Sequence, residues 1–424
     1  MNEHSALETK NSSVMTREER MIVTLTGCSH ALSHAYLLTF PAVLLLLKEE
    51  FSIGYFGLGV VSNIMTFAYG LGSLPGGMIY NRFGPKKLYL LCFLGSAAAS
   101  LLVALSPNFL LFTAGLAILG ALGSIYHPLV NVLITSKVKQ YGVALGIHGG
   151  AGNIGVAVSP VISGLIASRW GWRWAYVGFA LPGVLLSLWS LTVDMSGSRS
   201  EEEKTSLAEA PGLPAAGNRV GFWGYFTLPL ALLYLMNCLQ SFGFNGSVTF
   251  LPSFMAQFSS FHLFSWDSVA MGGMLSGLAL LTGVFGQYTG GVLAQRSNPE
   301  RNLVILTASG FPFIALMSFL RDLPLLFVAL VFFFFNFSLQ PMMNVMLAQN
   351  ASLRMRGTAF GIYFFAAFGL GSLAASFSGY IAQTFGLRWV FLGLSGGVLL
   401  AICSSTVFWN VGKRPNIGGG GTKE

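Results

Sequence analysis

Twelve unbroken apolar stretches run through the 424 residues, at approximately 22–47, 56–80, 88–105, 109–134, 143–168, 172–194, 223–254, 268–294, 302–320, 323–349, 357–383 and 388–411. An α-helix needs about 20 residues to cross a bilayer, and these runs match that length. They are continuous rather than alternating, so they read as helices, and only a helix satisfies its own backbone in lipid without closing a barrel. Charged residues make up 9% of the chain and hydrophobic ones 54%, whereas a soluble domain carries roughly 25% charged residues. The expected fold class is therefore an all-α membrane protein with twelve transmembrane helices, numbered below as spans 1 to 12.

The second half echoes the first. Tyr126-His127-Pro128-Leu129-Val130-Asn131 returns 213 positions later as Leu339-Gln340-Pro341-Met342-Met343-Asn344. Ser163-Gly164 returns as Ser378-Gly379, and Gly171-Trp172-Arg173-Trp174 as Gly386-Leu387-Arg388-Trp389. A repeat of half the chain implies two six-helix bundles related by a pseudo-two-fold axis. The expected domains are a tail at 1–21, bundles at 22–194 and 223–411, a Ser/Glu/Pro/Gly-rich linker at 195–222 and a tail at 412–424, with linker and tails flexible.

Charge placement gives an orientation. With both termini inside, 18 of the 23 Lys and Arg fall on the cytoplasmic side; Lys48, Arg169, Arg173, Arg321 and Arg388 are the rest. This is the positive-inside asymmetry, so the net charge of +8 reads as topology and not as nucleic-acid binding. The first 20 residues lack a signal-peptide pattern, and span 1 is expected to serve as the insertion signal. The expected location is a bacterial cytoplasmic membrane, with a monomer in contact with the lipid bilayer. Cys28, Cys92, Cys238 and Cys403 sit singly in apolar runs without metal or redox spacing.

Two loops carry a motif: Gly77-x-x-x-Asn81-Arg82-Phe83-Gly84-Pro85-Lys86-Lys87 after span 2, and a degraded copy, Gly291-x-x-x-Gln295-Arg296, after span 8. On these residues, the twelve spans and the linker, the chain resembles the major facilitator superfamily over essentially its whole length. The resemblance implies alternating access, a central cavity lined by spans 1, 4, 7 and 10, and a gating role for Gly77, Asn81, Arg82, Gly84, Lys86, Lys87, Gly291 and Arg296. Asn81 stands where the family usually has Asp, so a latch there is neutral and weaker than a charge-assisted one. A plain anchoring of the loop at the lipid surface is the alternative. Gly123-Ser124-Ile125-Tyr126 before the His-Pro of span 4, with Gly149-Gly150-Ala151-Gly152-Asn153-Ile154-Gly155 in span 5, resembles the fosmidomycin-resistance branch of efflux proteins. That branch exports small organic compounds against an inward proton flow, and its Gly-x-x-x-Gly-Pro pattern is only partly met here.

All fifteen Asp and Glu lie in tails, loops or span ends, so the membrane interior offers histidine and amide instead. His30 and His34 share a face of span 1, four residues apart. Without further ligands they make a weak metal pair, and no metal or other cofactor is expected. His127 and Asn131 share a face of span 4; Gln340 and Asn344 are their copies in span 10. His148 of span 5 matches Tyr363 of span 11, and span 7 contributes Asn237, Gln240 and Asn245. The expected substrate-binding set is thus His34, His127, Asn131, His148, Asn237, Gln240, Asn245, Gln340, Asn344 and Tyr363. His34 and His127 are the expected proton carriers, since histidine titrates near neutral pH; an interhelical hydrogen bond is the alternative for each polar residue. Pro128 and Pro341 each remove one helical hydrogen bond and are expected to kink both spans. Gly72/Gly76, Gly146/Gly150, Gly273/Gly277 and Gly286/Gly290 are spaced for close helix contact, as sliding surfaces between halves or as static packing.

No nucleophile–base pair, phosphate loop or metal motif points to an enzyme. The expected function is secondary transport of a small organic solute, proton-coupled and outward. Uptake or exchange of a small monocarboxylate is a second reading, and a non-transporting ligand sensor on the same fold is a third.

Overall fold

Hydrocarbon offers a peptide group no partner outside its own chain, and the apolar stretches answer by closing most of their turns on themselves. The computed structural model describes residues 15–74, 83–195, 222–261, 263, 265–296, 298–352 and 355–412. Spans 1 to 6 are Arg17–Glu50, Tyr55–Ser73, Pro85–Ala104, Phe109–Gly123 with Tyr126–Lys137, Tyr141–Trp170 and Trp172–Ser190. Spans 7 to 10 are Leu228–Phe258, Ser268–Leu281 with Gly283–Ala294, Pro299–Met317 and Asp322–Asn350. Span 11 runs through Arg356–Phe364, a π-wound Phe365–Leu370 and Leu373–Thr384, and span 12 is Val390–Gly412. Eight of these, spans 1, 3, 4, 5, 8, 10, 11 and 12, are long and apolar enough to cross a membrane on length and composition alone. Span 7 has 31 residues but falls short in hydropathy, because Asn237, Gln240, Ser241 and Asn245 dilute it.

The duplication reappears as packing. Spans 1–5, 2–4 and 3–6 pair in the first half as 7–11, 8–10 and 9–12 do in the second. Even the backbone is copied: Gly171 and Gly386 take φ of 89° and 97° at equivalent turns, a region open mainly to glycine. The halves meet through spans 5–8 and 2–11, pairs that exchange under the pseudo-two-fold, and through 1–7.

Much of this close contact lies toward one end, and it continues to mid-span, where a Cβ on Gly70 would overlap the Gly369 backbone. A Cβ on Gly273 would overlap the carbonyl of Pro160, one on Gly59 that of Ala375, and one on Gly379 that of Tyr55. Neutral hydrogen bonds reinforce the seal: Ser62 with Thr249 at 3.1 Å, Asn63 Nδ2–H to Ser372 Oγ at 2.7 Å, and the Phe56 N–H to Gln383 Oε1 at 3.1 Å. At the other end, where spans 1 and 7 begin, the approach of the halves loosens: a Cβ on Gly361 of span 11 would stand 3.8 Å from the Leu74 carbonyl of span 2, against 2.3–2.4 Å at the seal. The helices therefore splay from a sealed end toward an open one.

Several expectations change. Of the small-residue pairs, only Gly273/Gly277 lies between halves. Gly286 and Gly290 pack on the carbonyls of Phe334 and Ser338, and Gly72 on Ser124, so these are contacts within a half. A Cβ on Gly146 or Gly150 would meet nothing within 4 Å, and Gly76 lies outside the described residues. The proline copies also differ. Span 4 breaks between Gly123 and Tyr126, whereas Asp322–Asn350 runs unbroken through Pro341. Gly120 and Gly123 weaken the turn before Pro128; before Pro341 the turn is Phe-rich, and Ser338 Oγ–H bonds back to the Phe334 carbonyl at 2.8 Å.

The seal is testable by two matched substitutions. Gly146→Ala faces open space and is expected to stabilise by about 0.5–1 kcal/mol, whereas Gly273→Ala overpacks the seal and costs about 1–3 kcal/mol. Apparent unfolding temperatures in detergent should move in opposite directions, and a shared direction would contradict the assignment.

Candidate functional site

Between the halves, below the seal, lies a cavity of about 340 Å³. All ten residues expected at the site line it: His34, His127, Asn131, His148, Asn237, Gln240, Asn245, Gln340, Asn344 and Tyr363. Spans 1, 4, 7 and 10 supply most of the wall, and spans 2, 5, 8 and 11 also contribute. The volume is at the small end of the ordinary range for small-molecule sites. Among the described residues no Asp, Glu, Lys or Arg lines it, so recognition there rests on imidazoles, amides, hydroxyls and aromatic faces.

The first-half wall is histidine. Four of the chain's six histidines converge from spans 1, 4 and 5. His30 stacks on His148 with ring centroids 4.2 Å apart and meets His127 edge-on at 5.1 Å. His30 Nδ1 lies 2.8 Å from the His148 carbonyl oxygen, and a carbonyl can only accept, so Nδ1 carries the proton. The remaining nitrogen, Nε2, lies 3.2 Å from Nε2 of His34. His127 has ring contacts but no hydrogen bond; it stacks on Phe364 of the other half with centroids 6.0 Å apart.

The second-half wall is amide. Asn237 Nδ2–H donates to the Tyr363 carbonyl at 2.7 Å, and Gln240 Nε2–H to the Asn336 carbonyl at 3.1 Å. Asn245 Nδ2–H donates to the Ala367 carbonyl at 3.1 Å. That last bond has a specific origin: in the π-wound turn the Gly371 N–H reaches back to Ala366 at 2.9 Å, leaving the Ala367 carbonyl for a side chain. These three amides therefore tie span 7 to spans 10 and 11. In contrast, the side chain of Asn131, Oδ1 of Asn344 and the hydroxyl of Tyr363 have no hydrogen-bond partner among the described residues. Nδ1 of His148, also on the cavity wall, is unpaired as well.

The expected set left out His30, weighed only as half of a metal pair, Asn153, noted only in the span 5 motif, and Gln287 and Asn336, all of which line the cavity. Gln287 Nε2 donates both to Asn153 Oδ1 at 3.1 Å, across the halves, and to Gln340 Oε1 at 3.0 Å. Asn336 was recoverable, since Asn336, Gln340 and Asn344 form a ladder at every fourth residue on one face of span 10. Asn153 and Gln287 had no comparable signal.

The gating motif is only partly in view. Gly77, Asn81 and Arg82 lie outside the described residues. Gly84 starts span 3 with φ of 76°, and Lys86 Nζ donates to the Leu191 carbonyl at 3.1 Å, within its own half. Lys87 and Arg296 are exposed, and Gly291 faces open space.

The sequence profile of the Major Facilitator Superfamily matches residues 25–376. The chain is 25% identical over 312 residues to the probable sulfoacetate transporter SauU of Cupriavidus necator, covering 68% of this chain and 70% of that one. It is 33% identical over 137 residues to the multidrug resistance protein MdtG of Serratia proteamaculans, covering 32% and 33%. Over 115 residues it is 38% identical to the efflux pump apf11 of Gibberella fujikuroi, covering 26% of this chain and 20% of that one. Among solved structures, an inward-facing bacterial homologue of the human lysosomal transporter Spinster matches with a TM-score of 0.77 at 14% identity, over 95% of this chain and 100% of that one.

Stability separates the tying amides from the free ones. Asn245→Ala leaves a buried carbonyl unpaired and is expected to cost about 1–3 kcal/mol, whereas Asn131→Ala breaks no bond and stays within about 0.5 kcal/mol. Thermal unfolding of the two variants side by side checks the ranking.

Proposed function

This chain belongs to the Major Facilitator Superfamily, and within it we propose that the protein exports a small organic solute by alternating access, against an inward flow of protons. One observation carries the reading: a cavity between two pseudo-symmetric halves, sealed at one end by backbone-close packing and open at the other. A solute held there is exposed to one side at a time. On the positive-inside orientation the open end faces the cytoplasm, so solute is loaded from within. The likeness to an efflux pump and a multidrug resistance protein supports the outward direction. Asn131 and Asn344, at duplicate positions on spans 4 and 10, are the proposed solute ligands, with Tyr363 beside them.

A second reading has its own support. The wider match is to a probable sulfoacetate transporter, and a cavity without carboxylates suits a small organic anion held by neutral donors. Import or exchange of a small carboxylate is that alternative.

Reconstituted proteoliposomes distinguish the two. Export predicts accumulation of lipophilic drugs under a proton gradient, lost when nigericin collapses it; the alternative predicts counterflow of monocarboxylates without drug transport. Under either reading Asn131→Ala and Asn344→Ala raise KM by about tenfold, the equivalent of about 1.4 kcal/mol for one lost hydrogen bond, and leave kcat close to normal. Ligand-induced thermal stabilisation with no counterflow of any solute would sink transport altogether and leave a sensor.

A further inference from the structure

Going beyond that reading, we infer that His30, His34 and His127 form a binding site for a first-row divalent cation of the zinc type, on the first-half wall of the cavity. In sequence, His30 and His34 are only a pair. The fold supplies the third ligand: the break in span 4 at Ser124 and Ile125 starts a new helix at Tyr126 and sets His127 in its first turn. The ligand nitrogens of the three lie within 4.8 Å of one another.

The geometry suits a metal in three respects. Two imidazole nitrogens bound to one tetrahedral zinc ion at 2.0–2.1 Å stand about 3.3 Å apart. The Nε2 atoms of His30 and His34 are 3.2 Å apart. Secondly, the tautomer of His30 is set by its Nδ1–H donating to the His148 carbonyl at 2.8 Å, which leaves Nε2 as the lone-pair nitrogen facing His34. A backbone carbonyl on the far nitrogen is the usual support of a metal-binding histidine. Thirdly, His127 sits edge-on to His30 at the cavity wall and makes no hydrogen bond among the described residues, so its ring nitrogens are available to an ion.

The donor set also selects the ion. Three neutral imidazoles with no carboxylate suit Zn²⁺, Ni²⁺, Co²⁺ or Cu²⁺ and exclude Mg²⁺ and Ca²⁺, which require oxygen. All three residues line the cavity, so the fourth coordination position opens into it. With no acidic side chain in the wall to offset the charge, that position takes an anion: hydroxide, chloride or a carboxylate oxygen of a solute.

The test uses the resting protein and needs no transport, so its failure and that of the export reading are separable. Full-length chain, with Cys28, Cys92, Cys238 and Cys403 replaced by Ser, is stripped with chelator and titrated with ZnCl₂ alone by calorimetry. One ion per chain is expected, with affinity weakened by about 100-fold or more in His34→Ala and in His127→Ala, and no heat from MgCl₂. A stoichiometry near zero, or unchanged affinity in the His34→Ala/His127→Ala double variant, overturns the site. Because those variants can misfold, X-ray absorption of the zinc-loaded unsubstituted-histidine chain gives a second reading. Imidazole scattering from about three nitrogens at about 2.0 Å supports the site, and an all-oxygen shell overturns it.

Discussion

A backbone in hydrocarbon has only itself to bond with, and the architecture follows from how this chain meets that demand. Most residues meet it by unbroken helix. Three spans depart from it, and in each a side chain takes over a freed or strained carbonyl. Ser124 Oγ–H bonds the Ala121 carbonyl at the break in span 4, Thr282 Oγ1–H bonds the Ala279 carbonyl at the break in span 8, and Asn245 bonds Ala367 at the π-wound turn of span 11. Two of the three departures border the cavity directly: His127 follows the first, and Ala367 and Phe368 belong to the third. The irregular backbone thus lies where polar groups are available to complete it, and the same irregularity aims side chains at the site.

The seal shows how two halves can bind and still part. Its contacts are glycine faces against carbonyl oxygens and a few hydroxyl and amide hydrogen bonds, with no ion pair among the described residues. Each such bond contributes modestly, because separation re-forms bonds to water. The one ion pair seen among the described residues, Arg173 with Glu50 at 2.7 Å, lies within the first half, where Arg173 also covers the Trp172 ring. The charge pairing described thus lies inside a half and weak neutral pairing lies between halves, an arrangement suited to rocking.

The pseudo-symmetry of the scaffold does not extend to the site. Equivalent helix pairs pack equivalently, and Gly171 and Gly386 share a backbone conformation. Yet the first half lines the cavity with histidine and the second with amide. His127 against Gln340 is the residue-level form of that difference: one makes ring contacts only, and the other accepts a hydrogen bond from Gln287. A symmetric frame with an asymmetric lining lets one half change its chemistry without disturbing the packing of the other.

Helix class, membrane residence, duplication and the polar face of each cavity span were legible in the residues, because hydrophobic runs, repeated fragments and four-residue spacing are local properties. All ten expected cavity residues could be found that way, since a polar side chain in an apolar span has few places to face. Local spacing does not say which polar atoms find each other across forty or more residues. Tertiary structure alone decided that Asn237, Gln240 and Asn245 tie helices together while Asn131 and Asn344 stay free, and that Gln287 bridges to Asn153. It also decided that Pro128 accompanies a break and Pro341 does not, and that His30, His34 and His127 converge. The physical reason is common to all of these: a single helix sets which face a residue occupies, and only the packing of several helices sets what that face meets.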